Sequence, residues 1–298
     1  MIVRLKGKMT ADDAPIYLLA GPTASGKSAK ALAWAQRRGG IVLNADSMQL
    51  YADVPILTAR PDACDLARAD HVLYGHLGPR GLWSAGDWLR AATPYLEAAL
   101  AGGRPVCVVG GTGLYFNSLV FGLADVPDIS EAVRLKARAA YGELGEPSFR
   151  DMLGGFDPSA EARIMANDQQ RLSRAYEVWL ETGIALSDWQ KQTTSGLSES
   201  SYCLEIMTPE REWLYGRCDE RLGVMLANGA LDQVGDLLVR GLANDWPIMR
   251  VLGLRQFADH LRGDMSLSAA LDLARQKTRN YAKRQMTWFR NQFSTEPS

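Results

Sequence analysis

The feature that most limits the fold is the octapeptide GPTASGKS, Gly21 to Ser28, set between the apolar run IYLLA and the helix-forming run SAKALAWAQRR. A G-x-x-x-x-G-K-[ST] segment that follows a strand and opens a helix is a phosphate-binding loop. Its glycines let the backbone wrap closely, while amide groups and the helix N-terminus point at anionic oxygens. In this pattern Gly21, Pro22, Thr23, Ala24, Ser25 and Gly26 form the cradle, Lys27 neutralises a terminal phosphate, and Ser28 holds Mg²⁺. The loop specifies phosphate and says nothing about what carries it.

Strand and helix patterns alternate around this loop. Ile41-Val42-Leu43 follows Gly39-Gly40, the stretch Trp83 to Leu100 reads as a helix, and Pro105 to Val109 is a further apolar strand. Such alternation predicts βαβ units and a parallel sheet flanked by helices. The fold class expected is therefore α/β, a P-loop NTPase-like core. From Asp125 to about Ser200 the pattern turns helical, with SEAVRLKARAAYGEL and NDQQRLSRAYEVWLETG joined by turns. The expected organisation is a first core segment, 12–124, an inserted all-helical domain, 125–200, and a completion of the core with basic helices, 201–298. Tyr202 to Met207 resumes the sheet, and the chain is then helical to Phe293 with breaks near Gly241 and Gly263.

Composition narrows the class. The chain has 298 residues, 47% of them hydrophobic and 22% charged, which excludes intrinsic disorder. Lys+Arg 33 against Asp+Glu 34 leaves a net charge of -1, so any nucleic-acid site is a local patch. Cys64, Cys107, Cys203 and Cys218 form no C-x-x-C pair and read as free thiols, buried or partly buried, in a reducing cytoplasm. No apolar run reaches the roughly 20 residues of a membrane span. MIVRLKGKMT lacks an apolar core for a signal peptide and reads as a short mobile tail.

A P-loop nucleotidase pairs its loop with a strand ending in an Mg²⁺-binding Asp. Here PVCVV ends in Gly110-Gly111-Thr112-Gly113, and IVLNAD alone brings an acid, Asp46, to a strand end. Asp46 has two readings from sequence, a general base or a turn cap before Ser47. A small-molecule or nucleoside kinase and a nucleotide-controlled switch both share the loop, and the missing strand-end acid argues against both.

GPTASGKS, then NADSMQLY, then VVGGTGLYFNSLVFGL, NDQQRLSRAYEVWLETG and AKRQMTWFR together resemble the bacterial type of the tRNA dimethylallyltransferase family, with the blocks in family order from residue 21 to 290. The resemblance implies transfer of a dimethylallyl group from its diphosphate to the exocyclic amine of the adenosine 3′-adjacent to the anticodon, with release of diphosphate. The P-loop then holds the prenyl diphosphate, with Mg²⁺ as cofactor. Asp46 and Thr112 become the catalytic pair, Thr112 with its hydroxyl at the leaving oxygen. Ser47, Met48 and Gln49 line the adenine pocket, Gln49 reading a base edge. Gln170, Arg171, Leu172, Ser173 and Arg174, with Arg134, contact tRNA, as do Lys283 and Arg284. Arg217 and Arg221, one turn apart, either face the diphosphate or pair with Glu220 and Asp219. The expected partners are the tRNA anticodon stem-loop and dimethylallyl diphosphate, for a cytoplasmic monomer without membrane contact. The chain departs from the family pattern at Leu254, at Asp70-His71 with His76 nearby, and at Trp83-Ser84. No zinc-finger pattern follows AKRQMTWFR.

Overall fold

The computed structural model describes residues 2–6, by backbone alone, and 9–293. In chain order the elements are β1 (Ile2–Lys6), β2 (Ile16–Ala20), α1 (Lys27–Arg38), β3 (Ile41–Asn44), a 3-10 turn (Ser47–Leu50), α2 (Pro55–Thr58), α3 (Ala63–Leu66), β4 (Asp70–Val72), α4 (Ala85–Leu100), β5 (Val106–Gly110) and α5 (Gly113–Phe121). Then come α6 (Glu131–Gly154), α7 (Pro158–Arg163), α8 (Gln169–Thr182), α9 (Leu186–Lys191), β6 (Tyr202–Met207), α10 (Arg211–Ala227), α11 (Ala230–Val239), a 3-10 turn (Pro247–Arg250), α12 (Leu254–Arg262) and α13 (Leu267–Phe293).

The strands form one sheet in the order β1-β6-β2-β5-β3-β4. Five strands run parallel, as the alternating pattern predicts, and β1 lies antiparallel on β6. The opening segment is therefore not a free tail over Ile2–Lys6, because ladder bonds to Leu204–Met207 hold its backbone in the sheet. Met1, Gly7 and Lys8 lie outside the described residues. The P-loop strand β2 sits between β5 and β6, buried on both faces along its whole length.

The period-two pleat sends alternate residues to two layers. Ile16, Leu18, Val106, Val108, Tyr202 and Leu204 pack against α4, α5 and the end of α13 through Trp88, Phe116 and Phe289. Tyr17, Leu19, Cys107 and Cys203 face the other way onto Ala31, Trp34 and Ala35 of α1. On that side a buried carboxylate pins α1 to the sheet. Glu205 of β6 accepts from Tyr17 Oη at 2.6 Å and from Lys30 Nζ at 2.5 Å. A third core joins α10 to α13 with Leu50, Tyr51 and Leu57, and Leu254 is buried within it.

Two local expectations change. The helix expected from Trp83 begins at Ala85, because Ser84 and Asp87 form a reciprocal capping box and Ser84 becomes the N-cap. Cys64 is exposed on the surface, unlike the other three thiols.

The chain divides into two compact units, one of residues 1–120 with 197–298, the other Phe121–Gly196. The second unit holds only helices and an isolated bridge between Ala124 and Thr193. Its core is aromatic, with Phe149 fully buried against Tyr141 and Tyr176 in edge-to-face contact. No single helix among the described residues is long and apolar enough to cross a membrane.

Within the first unit the backbone N–H of Leu197 donates to Leu119 O at 2.7 Å, so the chain leaves and returns at one point. Replacing 121–196 by a short Gly/Ser linker is expected to leave a soluble core with a single cooperative melt, read by circular dichroism. A chain that aggregates or melts without a transition would show that the helical unit is needed to fold the sheet.

Candidate active site

The loops at the carboxyl ends of β2, β3 and β5 meet α10 in a cleft of about 360 Å³. It is lined by P-loop residues Thr23 to Ser28, by Asp46 and Gln49, by Gly110 and by Arg217 and Arg221. This is the edge where open parallel sheets bind ligands. The P-loop reaches α1 through two left-handed residues, Ala24 at φ 61° and Gly26 at φ 86°. Gly26 has no Cβ to oppose that conformation, and it serves as the N-cap of α1.

Lys27 is buried, and its Nζ donates to Pro22 O at 3.0 Å. Arg221 Nη2 donates to Thr23 Oγ1 at 2.6 Å, while its buried Nε has no partner. Neither cation has a carboxylate at ion-pair distance among the described residues. Burial pushes the Lys27 ammonium down to about 8, opposed by Asp46 and reinforced by Arg221. Burial likewise lowers Arg221. A buried lysine and a partly buried arginine, both short of acceptors at a loop built to wrap anions, are the groups an anion site needs. Arg217 pairs with Glu220 at 3.5 Å and Asp219 pairs with Arg279 at 2.6 Å, so Arg217 and Arg221 have separate surroundings.

Asp46 stands at the mouth of β3, held by its neighbours. Asn44, fully buried, accepts the Asp46 N–H at 2.8 Å and donates to Asp46 O and Leu73 O. Trp88 Nε1 donates to Asn44 O at 2.8 Å. Asp46 Oδ1 accepts the Met48 N–H at 3.0 Å, so the residue does cap the following 3-10 turn. One oxygen performs that role, and the second faces no hydrogen-bond donor among the described residues. Burial, with the Asp46 charge nearby, raises the hydroxyls of Tyr74, Tyr115 and Tyr281 and keeps them protonated.

Several expected site residues take other positions. Thr112 is not in the cleft lining: its Oγ1 accepts the Ser47 N–H at 2.9 Å and donates to Ser47 Oγ at 3.2 Å. Its hydroxyl thus braces the turn carrying Asp46. Gln49 lines the cleft, but its Nε2 is spent on Thr58 O and Ala59 O, leaving only its oxygen for a ligand. Met48 is partly buried against the helical core. Ser28 is exposed at the start of α1, open to the cleft.

In the helical unit, Gln170 and Arg171 are exposed, and Arg171, Arg174 and Arg134 each lie one turn from a carboxylate, Asp168, Glu177 and Glu131. Leu172 and Ser173 are corrections to the expected RNA-contacting set. They fall on the inward stripe of α8 with Ala175 and Tyr176, and Leu172 is fully buried. Helical periodicity around those positions carried that information. Lys283 and Arg284 project from α13 into solvent, with the Arg284 guanidinium over the Tyr281 ring.

Sequence reasoning missed Asn44 and Gln285. Gln285 is buried and joins the P-loop to the Gly111 turn, accepting the Thr23 N–H at 2.9 Å and donating to Gly111 O at 2.8 Å. The block AKRQMTWFR contained it, but polarity alone did not separate it from its solvent-facing neighbours.

The Lys27 environment fixes a pH dependence. Folded Lys27 titrates near 8 against 10.5 for a free lysine, so between those values the unfolded chain binds more protons. Its contribution to stability therefore rises with pH across that window. Anion binding needs the charged form and weakens as pH climbs through 8. Affinity for inorganic diphosphate, followed by calorimetry, is expected to fall by up to about tenfold per unit above pH 8. Lys27→Arg should hold affinity to higher pH, and coincident profiles for the two proteins would contradict the assignment.

Comparison with known proteins identifies the family. The IPP transferase family model matches residues 49–292, and an Isopentenyl transferase model matches residues 14–76. A tRNA dimethylallyltransferase of Caulobacter sp. (strain K31) is 51% identical over 280 residues, covering 94% of this chain and 91% of the relative. Another, of Phenylobacterium zucineum, is 50% identical over 283 residues, covering 95% and 91%. The crystal structure of a tRNA delta(2)-isopentenylpyrophosphate transferase from Staphylococcus epidermidis superposes with a TM-score of 0.65 at 29% identity, covering 94% of this chain and 91% of that one. A eukaryotic dimethylallyltransferase caught acting on tRNA gives 0.78 at 25% identity, covering 92% and 69%. With a family model spanning most of its length and relatives near half identical, this chain belongs to the IPP transferase family.

Proposed function

We propose that the chain transfers a dimethylallyl group from dimethylallyl diphosphate to the exocyclic amine of the adenosine 3′-adjacent to the anticodon of tRNA. The observation that carries this reading is the cleft lined by the buried Lys27, the partly buried Arg221 and the carboxylate of Asp46, in a member of this family. In the reaction the adenine nitrogen attacks the allylic carbon, and the carbon–oxygen bond breaks with its electron pair on diphosphate. Asp46 takes the proton that the amine loses. The P-loop amides, Lys27 and Arg221 stabilise the departing polyanion where its charge develops. The adenine leaves its stack to reach a base at the foot of β3, as for other base-modifying enzymes.

Mg²⁺ fits the donor set. This ion keeps several waters and is held by one or two oxygen ligands together with substrate phosphates. Ser28 Oγ lines the cleft as such a ligand, with diphosphate oxygens and water left to fill the shell, and no group of three or more His, Cys, Asp or Glu competes among the described residues. Bound there, the ion would supply charge neutralisation to the diphosphate. A kinase reading is not favoured, because the relatives transfer prenyl groups by name and PVCVV ends without an acid.

Exposed Lys283 and Arg284 on α13 supply phosphate contacts to the anticodon stem-loop, with Gln170, Arg171, Arg174 and Arg134 of the helical unit as further contacts. The protein works as a cytoplasmic monomer in this reading.

Incubation with unmodified tRNA and either labelled dimethylallyl diphosphate or labelled ATP tests the reaction, with prenyl label expected in tRNA. Asp46→Asn is expected to lower turnover by about 10²–10⁴ with little change in tRNA affinity. Surviving turnover would move the base elsewhere. Lys283→Ala and Arg284→Ala should each reduce the salt slope of log tRNA affinity by up to about 1, for all tRNAs alike. An unchanged slope in the double variant would leave α13 as packing only.

A further inference from the structure

We infer that Gln285 is a positioning residue that sets the separation between the diphosphate loop and the turn bearing the base. The inference rests on the transfer reading above. Parallel pairing of Ala20 with Gly110 fixes the two strand ends, but beyond them the P-loop and the Gly111–Gly113 turn leave the ladder. Gln285 ties them together. Its oxygen takes the Thr23 N–H at 2.9 Å and its amide nitrogen gives to Gly111 O at 2.8 Å, with the side chain 5% exposed.

From there the contacts run in both directions. On the donor side Thr23 Oγ1 holds Arg221. On the acceptor side Thr112, next to Gly111, holds Ser47 through its hydroxyl and Ala45 through its N–H, so the residues on both sides of Asp46 are gripped. The fit is close. A Cβ at Gly111 would lie 2.1 Å from Gln285 Nε2, and one at Gly113 would lie 2.2 Å from Trp288, one turn further along α13. Only a side chain that both donates and accepts while neutral satisfies both loops. Glu at this position accepts from Thr23 but sets a carboxylate against the Gly111 carbonyl.

For an attack in line with a departing diphosphate, this separation decides how often the amine, the allylic carbon and Asp46 are aligned. A misplacement of about 1 Å costs on the order of 10² in rate, even when both substrates still bind.

The test compares the parent with two variants of similar volume, Gln285→Glu and Gln285→Met. Steady-state kcat and KM for dimethylallyl diphosphate and for an anticodon stem-loop are measured alongside the melting temperature. The expected result is a fall in kcat of about 10–10² in both variants, with each KM within about threefold of the parent. An unchanged kcat in either variant would overturn the inference. So would a loss confined to the KM for the prenyl diphosphate, which would make Gln285 part of the anion cradle. So would a loss of rate that tracks thermal unfolding and disappears on cooling. If the parent itself transfers no prenyl label to tRNA, the transfer reading fails, and that outcome is distinct from any effect of the variants.

Discussion

Two cations with no carboxylate at ion-pair distance among the described residues set the terms for everything around them. An unpaired charge removed from water is among the most expensive arrangements a protein interior can hold. Lys27 is buried in that way, and Arg221, partly buried with its Nε unpartnered, stands beside it, Lys27 on the first helix of the sheet core and Arg221 on α10, almost two hundred residues later. Their meeting requires that β6 and the C-terminal helices be complete. The surroundings are correspondingly firm: a sheet strand buried on both faces, a helix pinned by Glu205, and a third core of helices behind Arg221. The stability spent on the two charges is recovered when a polyanion arrives, which is the logic of an electrostatically organised site.

Asp46 illustrates how one residue can satisfy two readings that look like alternatives. A carboxylate has two oxygens and several lone-pair directions. One oxygen ends the strand by capping the turn, and this fixes the other with respect to the cleft. Asn44 supplies the rigidity through three hydrogen bonds of its own. The cap that the structure shows is therefore compatible with the proposed role as base, since each uses a different oxygen.

Much of this was legible in the sequence. The P-loop, the parallel strands and the helical stretch after Leu123 follow from apolar runs and glycine punctuation, which are local signals. Position in the sheet was not legible, because β1 and β6 pair across some two hundred residues and the alternation of Val3-Arg4-Leu5-Lys6 is too short to name a partner strand. The block resemblances singled out Asp46, Thr112 and the QRLSR segment as candidates, yet they could not tell Leu172 from Arg171, nor Gln285 from Arg284, in burial. Within such blocks, facing is decided by tertiary contacts. Thr112 and Gln49 show the same limit: the first is turned onto Ser47, 65 residues away, and the second spends its amide on Thr58 O and Ala59 O, contacts that residue type does not announce.

The strand order carries a consequence for synthesis on the ribosome. β2 needs β5 on one side and β6 on the other, and the whole helical unit is encoded between those two strands. Translation at about 5–20 residues per second leaves an interval of roughly 5–20 s between their emergence. Throughout it the P-loop strand has one open edge, an invitation to wrong pairing. The intervening segment draws on its own aromatic core and needs nothing from the sheet to collapse. Its early folding shortens the path that β6 must search, from some ninety flexible residues to a compact body whose ends already lie together. The distance between β5 and β6 along the chain is thereby spanned by a body with its own core, its ends joined at the Ala124–Thr193 bridge.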